Sequence, residues 1–200
     1  AVEQFFETIF PDAAVLIPNL SKEYFQNPTS SLVSISCWPW QKNGQAVIMG
    51  DASHAIVPFY GQGMNSGFED CYVFDSLVEE HGSDWAKLLP RFEQLRKPDA
   101  DAIRDLALHN FIEMRDHVAD EQFLLRKKIE SKLHEQYPQQ WIPLYSMVTF
   151  QEDLRYSEAL SKGKLQDQVM RQVMSHPNIA HDWQSLDLEK IIKEYEELQS

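Results

Sequence analysis

Residues 46–70 read AVIMGDASHAIVPFYGQGMNSGFED and contain the signal that decides the fold. Four apolar residues predict a short strand over 46–49, which stops at a glycine and Asp51. Residues 58–63 then hold a proline and two glycines, and from Asn65 onward apolar residues recur at helical spacing. A strand, an acidic residue, a glycine-rich loop and a helix in this order are typical of a cofactor site at the carboxyl end of a sheet strand.

The glycines of this loop have a physical use in such a site. Gly61 and Gly63 tolerate positive φ and leave room for a flat ring to approach the backbone. The free N–H groups at the helix start, residues 63–66, would stabilise negative charge on a bound group. Asp51 is placed to accept hydrogen bonds from ligand hydroxyls. The alternative is an ordinary strand-to-helix connection capped by Asn65, and spacing alone leaves both interpretations open.

A family resemblance adds to this pattern. Residues 50–70 resemble the second FAD-binding motif of the FAD-dependent aromatic hydroxylases, and among these they are similar to the members that act on kynurenine. Residues 110–118 and 141–150 resemble later blocks of the same proteins in the same order. The resemblance spans positions 30–160 and fades after them.

The resemblance implies an activity, its cofactors and a set of site residues. The activity is hydroxylation of L-kynurenine to 3-hydroxykynurenine with O2, with FAD as cofactor and NADPH as reductant. Because the flavin carries the reaction chemistry, no catalytic side chain is assigned. No metal ligand is assigned, because the scattered histidines lack ligand spacing. The cofactor-binding residues are expected to be Asp51, Gly61, Gln62, Gly63, Met64 and Asn65. The substrate-binding residues are expected to be Asn110, Tyr145, Pro58, Phe59, Glu113 and Met114.

The fold class expected from these features is α+β and mostly helical. Residues 1–81, with strands at 31–38 and 46–49, would belong to the FAD- and substrate-binding region. Residues 82–200 would form a helical C-terminal domain. Because no G-x-G-x-x-G fingerprint follows any predicted strand, the chain is expected to lack the N-terminal FAD-binding half of these enzymes. Alone, it is expected to be inactive and colourless.

Helical spacing and turn residues divide most of the chain into predicted helices. An Asn-Gly hairpin turn is expected at residues 43–44, and Gly82 is expected to end a helix. Pro98 is expected to separate two helices, and Gly163 is expected to end one. Predicted helical ranges are 2–10, 65–81, 85–97, 99–117, 123–137, 151–162, 165–174 and 186–198.

One predicted helix carries polar residues on its apolar stripe. The stripe that begins at Ile103 and Leu106 continues through Asn110, Glu113 and His117. Such groups need polar partners, and a ligand is one possibility. A buried hydrogen-bond network is the other, just as Tyr145 could be a plain core tyrosine. His54 lies next to Ser53, but a structural role is expected for it.

Composition limits the classes of partner. The net charge of −13 argues against nucleic acid and anionic membranes, and no apolar run approaches a membrane span. Cys37 and Cys71 lie in apolar runs and are expected to be buried thiols in the reducing cytoplasm. Two alternatives stay open: a hydroxylase of another aromatic substrate, or a non-catalytic helical packing module. An exposed sheet edge could promote self-association.

Overall fold

Helices make up most of residues 1–199, which are the part of the chain that the computed structural model describes. The mostly helical fold class is therefore confirmed. The chain divides into two compact units, Ala1–Leu32 and Val33–Ser200. The domain boundary expected between residues 81 and 82 stays a prediction.

The first unit consists of three short helices. They are α1 (Val2–Ile9), α2 (Pro11–Leu16) and α3 (Leu20–Gln26). Helix α2 begins at its proline because the first helical position needs no N–H donor. None of the side chains in these three helices is buried.

The second unit begins with a small hairpin. Strands β1 (Gln41–Lys42) and β2 (Ala46–Val47) pair antiparallel, with Gln41 opposite Val47. The turn residues Asn43 and Gly44 both have positive φ, 51° and 67°. This is the geometry that an Asn-Gly hairpin turn requires, so the sequence located the turn correctly. The strand predicted over 46–49 is shorter than expected.

The strand predicted over 31–38 is wrong, because these residues adopt no regular structure. An alternating pattern yields a strand only where a neighbouring strand accepts and donates its backbone hydrogen bonds. Among the described residues, Ile35 N–H donates to Ala55 O at 2.7 Å, and no ladder develops around this bond. Val33 is 65% exposed. Self-association through an exposed sheet edge stays a prediction.

The rest of the second unit is helical. A four-residue turn, α4 (Asp51–His54), follows the hairpin, and a 3-10 turn over Pro58–Tyr60 leads into α5 (Gly63–His81). The later elements are α6 (Trp85–Ile112), a π-helical segment (Glu113–His117), α7 (Glu121–Gln136), α8 (Leu144–Phe150), α9 (Tyr156–Met174), α10 (Ile179–Asp182), a 3-10 turn (Trp183–Ser185) and α11 (Leu188–Gln199).

Two expected helix boundaries are wrong for different reasons. Pro98 lies inside α6, which runs unbroken for 28 residues because tertiary contacts on both sides of the proline hold it. Gly163 lies inside α9, where its missing side chain admits Leu144: a Cβ atom there would lie 2.7 Å from Leu144 Cδ1. That glycine serves close packing and does not end a helix.

Three apolar clusters form the core of the second unit. The first joins α6, α8 and α9 around Ile103, Leu106 and Met147. The second joins α7, α9 and α11 around Trp141 and Tyr195. The third places Trp40, Phe92 and neighbours under the hairpin and α5. Across residues 1–199, no helix is both long and apolar enough to cross a membrane.

Candidate functional site

A sharp turn carries the aspartate of the predicted cofactor motif. Gly50, with φ 56° and ψ −141°, precedes α4, and its carbonyl accepts hydrogen bonds from the N–H groups of Ser53 and His54, both at 2.9 Å. Only glycine adopts this backbone conformation without strain. The turn therefore leaves Asp51 at the first position of α4, on the surface of the unit.

An open depression of about 650 Å³ lies between α4 and the start of α5. Of the predicted cofactor residues, Asp51, Gly61, Gly63 and Met64 line it. A Cβ atom built at Gly61 or at the neighbouring Gly67 would meet no atom within 4 Å, so backbone faces open space there. This is the surface that a flat ring needs, and the residues fit a flavin.

The first turn of α5 adds hydrogen-bond donors to this depression. The first N–H to bond back into the helix is that of Ser66, which donates to Gln62 O at 2.9 Å. Within residues 1–199, the N–H groups of Gly63, Met64 and Asn65 donate to no backbone acceptor. They lie at the positive end of a 19-residue helix, which favours negative charge on a bound group.

Two predicted cofactor residues have their side chains engaged within the protein. Gln62 is buried, and its Oε1 accepts hydrogen bonds from Asn65 Nδ2 at 2.9 Å and from Tyr156 Oη at 3.1 Å. Asn65 therefore does not cap α5, whose N-cap is Gln62. The two amides brace the loop from within, so any contact with a cofactor would come from their backbone.

A second, larger cleft of about 1270 Å³ lies on the other side of the loop. It is enclosed by the end of α6, the π-helical segment, α7, α8 and α9. Asn110, Glu113 and Tyr145, three of the predicted substrate residues, line it together with Tyr60. The π-helical segment begins at Glu113, three residues after Asn110, and such segments occur frequently at functional sites.

Two of the other predicted substrate residues, Phe59 and Met114, contact Asn110. Asn110 Nδ2 donates to Phe59 O at 2.7 Å and lies 3.8 Å from Met114 Sδ. Phe59 packs against Phe111, with ring centroids 4.6 Å apart. Pro58 instead lines the depression near Asp51. Asn110 thus contacts both Phe59 and Met114.

Tyr60 and Tyr145 form the aromatic wall of the cleft. Their rings stack with centroids 5.5 Å apart and an interplanar angle of 18°. Burial, with smaller contributions from Glu113 and Tyr145, raises the pKa of the Tyr60 phenol above its usual value. The hydroxyl therefore stays protonated at neutral pH. Tyr145 is half exposed, so it is not a plain core tyrosine.

The loop over Pro58–Gly63 separates the two cavities. Pro58 and Gly61 face the depression beside Asp51, while Tyr60 faces the cleft that contains Asn110. A flat cofactor on one side and an aromatic ligand on the other would therefore lie against the same short loop.

Buried charged residues behind the loop were not identified from the sequence. Asp70 is completely buried, and its Oδ2 accepts from Gly50 N–H at 2.9 Å and contacts His54 Nε2 at 2.7 Å. Its Oδ1 accepts from Arg96 Nε at 2.7 Å. Burial opposes the charge of Asp70, but the hydrogen bonds from His54, Arg96 and Gly50 outweigh it and lower the pKa. The structural role expected for His54 agrees with this geometry.

Helix α6 carries three charged residues, spaced three apart, whose side chains make buried hydrogen bonds and ion pairs. Glu93 accepts from the N–H groups of Trp40 and Gln41, Arg96 pairs with Asp70, and Asp99 accepts from Ser157 Oγ at 2.6 Å. All three are buried. The sequence feature that indicates their burial is their position on the helix face that also carries Phe92 and Ile103.

The free cysteines and the possible metal ligands remain to be located. Cys71 is exposed beside the depression, so the expectation that both thiols are buried is wrong for this residue. Among residues 1–199, no three His, Cys, Asp or Glu side chains are grouped to hold a metal ion.

Comparison with known proteins shows what the chain is similar to. A family model described as FAD binding domain matches residues 13–107. Kynurenine 3-monooxygenase of Flavobacterium johnsoniae is 48% identical over 193 residues, which is 96% of this chain and 43% of that protein. The chain is homologous to the kynurenine 3-monooxygenases. The resemblance read from residues 50–70, 110–118 and 141–150 is thereby confirmed.

Further relatives carry the same name. Kynurenine 3-monooxygenase of Christiangramia forsetii is 49% identical over 94% of this chain and 42% of its own length. That of Sus scrofa is 45% identical over 84% of this chain and 36% of its own length. The chain therefore spans less than half the length of these relatives.

Proposed function

We propose that this chain supplies part of the flavin site and one side of the substrate pocket of an FAD-dependent kynurenine 3-monooxygenase. The reaction converts L-kynurenine, NADPH, a proton and O2 into 3-hydroxykynurenine, NADP⁺ and water. The observation that carries the proposal is the loop over Pro58–Gly63, which lines both cavities. The cytoplasm is the proposed compartment.

On the flavin side, the chain binds and polarises the cofactor. The Asp51 carboxylate accepts hydrogen bonds from cofactor hydroxyls. The N–H groups of Gly63, Met64 and Asn65 favour negative charge on the ring system, and Gly61 leaves space for it. When bound, FAD supplies the redox and oxygen chemistry of the reaction.

On the substrate side, the chain orients an aromatic amino acid. Phe59, Tyr60 and Tyr145 offer apolar ring surface for the aromatic part of kynurenine. Glu113 and Asn110 offer a carboxylate and an amide for its polar end, and Met114 lies beside them. Lys127 Nζ forms an ion pair with Glu113 at 3.8 Å. Pro58 faces the flavin side of the loop.

A chimaera tests this proposal. The present chain would replace the matching segment of the Flavobacterium johnsoniae relative, and kynurenine-dependent NADPH oxidation and 3-hydroxykynurenine formation would be measured. We expect both activities. A folded, flavin-containing chimaera that hydroxylates another aromatic compound but not kynurenine would contradict the assigned substrate.

Three variants of the chimaera test the proposed roles. Asp51→Ala should lose bound FAD. Asn110→Ala and Tyr145→Phe should keep FAD but raise the KM for kynurenine by about tenfold, the effect of losing one hydrogen bond of about 1.4 kcal/mol. Tyr24→Phe, on the 57%-exposed tyrosine of α3, is the matched control and should behave like the parent. Unchanged KM values in both pocket variants would remove these residues from the site.

A further inference from the structure

A single buried carboxylate joins both ends of the α4 turn. Asp70 Oδ2 accepts from the N–H of Gly50, which precedes the turn, and contacts the ring of His54, which ends it. Asp51 lies between these two attachment points. The direction of its carboxylate therefore depends on how Asp70 holds the turn.

The same carboxylate is tied to the start of α5 through Arg96. Arg96 Nε donates to Asp70 Oδ1 at 2.7 Å, and Arg96 Nη2 donates to Ser66 O at 3.1 Å. Ser66 lies in the first turn of α5, directly after the free N–H groups. The two sides of the depression, α4 and the α5 start, are thus fixed relative to one buried ion pair.

The neighbouring glutamate shows what is specific to Asp70. Glu69 also pairs with Arg96, at 2.8 Å, but its side chain is half exposed. Among the described residues, Glu69 makes no hydrogen bond to Gly50 or His54, whereas Asp70 contacts both. Removing either carboxylate leaves Arg96 with one ion-pair partner fewer. Only Asp70, however, connects Arg96 to the turn that bears Asp51.

We propose that Asp70 is a positioning residue for the flavin, acting with Arg96. It holds Gly50 in its positive-φ conformation, so that Asp51 and the N–H groups of residues 63–65 face one depression. The identity of the ligand rests on the proposed function, whereas the control of the turn by Asp70 does not. Asp70 touches no cofactor or substrate.

Asp70→Asn is the decisive variant because its amide cannot satisfy all the donors around it. If its NH2 faces Gly50, the Gly50 N–H loses its acceptor; if it faces Arg96, a buried cation meets a donor. Glu69→Gln is the matched control for loss of charge beside Arg96. Leu133→Ala, at a fully buried residue of the second cluster, is the control for simple destabilisation.

The experiment uses the full chain labelled with ¹⁵N. Amide hydrogen exchange at Gly50 of the chain reports on the turn, and titration of FAD into the flavin-free chimaera that carries the same substitution reports on binding. We expect Asp70→Asn to accelerate exchange at Gly50 and to weaken FAD binding by about tenfold or more. Glu69→Gln and Leu133→Ala should both stay within about twofold of the wild type in FAD affinity and keep Gly50 protected.

The outcomes separate this inference from the proposed function. Gly50 protection and FAD affinity in Asp70→Asn equal to those of Glu69→Gln would overturn the inference. If Asp70→Asn does not fold, the wild type decides: strong protection of the Gly50 amide supports the inference, and exchange at the rate of an unstructured peptide overturns it. Failure of the unsubstituted chimaera to bind FAD would count against the proposed function, while the Gly50 exchange data of the chain would still decide the role of Asp70.

Discussion

Tyr60 lines the cleft, and the residue next to it lines the depression. Its ring stacks on Tyr145 inside the cleft, and its neighbour Gly61 opens the depression on the other side of the loop. Burial and the nearby Glu113 carboxylate both oppose the phenolate, so the hydroxyl remains a hydrogen-bond donor over the physiological range. A protonated phenol can donate to a carbonyl of an aryl ketone without changing the charge of the pocket.

This protonation state can be measured by titration. Phenolate formation in the chain, followed by absorbance at 295 nm, should include a component above the usual tyrosine pKa of 10.0 that Tyr60→Phe removes. Circular dichroism at each pH should show that the chain is still folded. Loss of absorbance amplitude at or below pH 10 in Tyr60→Phe would show that burial does not hold the proton.

At the scale of single elements, the hairpin packs tightly against α6. A Cβ atom on Gly44 would lie 2.8 Å from Ala86 Cα, which is backbone and cannot rotate away. Gly61 has almost the same φ, 68° against 67°, but open space around it. Comparing the two glycines therefore separates the free-energy cost of a positive φ from the cost of crowding a Cβ atom against Ala86.

Alanine substitutions at these two glycines should therefore differ in effect. Gly61→Ala should lower the free energy of unfolding by about 1 kcal/mol, the cost of a left-handed conformation for a residue with a Cβ. Gly44→Ala should lower it by about 2–4 kcal/mol, because overpacking against Ala86 is added to the same strain. Urea unfolding of both variants measures the difference. Equal losses would mean that the hairpin does not pack on α6 as the structure has it.

Local chemistry predicted some elements well and others poorly. The Asn43-Gly44 turn and the end of α5 at Gly82 follow from backbone preferences that act within a few residues. Pro98 and Gly163 were misread because distant contacts decide their effect. The segment over 31–38 has a strand pattern, but a strand also needs a partner, which the pattern does not provide.

At the scale of the whole molecule, the predicted site residues come from four separate parts of the chain. Their grouping around the loop over 58–63 followed from a family resemblance, because spacing alone cannot bring Asn110 and Tyr145 to one cleft. The buried residues Asp70, Arg96 and Asp99 were missed for a related reason. A charged residue on a helix is usually solvated, and only the folded structure shows that these three are not.

These buried charges should make the stability of the second unit depend on pH in acid. The pKa of Asp70 is lower in the folded chain than its usual 3.8. The folded state therefore binds this proton less readily than the unfolded state, so the contribution of Asp70 is fully present above pH 3.8 and is lost as the pH falls through the folded-state pKa. Below pH 4, the free energy of unfolding should therefore decrease as the pH is lowered.

Two variants assign this dependence to the Asp70 cluster. Asp70→Asn should lower the free energy of unfolding at neutral pH by about 3 kcal/mol or more, because Arg96 loses a buried partner, and should flatten the decline in acid. Leu133→Ala should lower it by about 3 kcal/mol at every pH, since a cavity carries no charge, and should leave the acid slope intact. Urea titrations from pH 2 to pH 7 provide the comparison. An acid slope in Asp70→Asn as steep as that of the wild type would place the responsible carboxylates elsewhere.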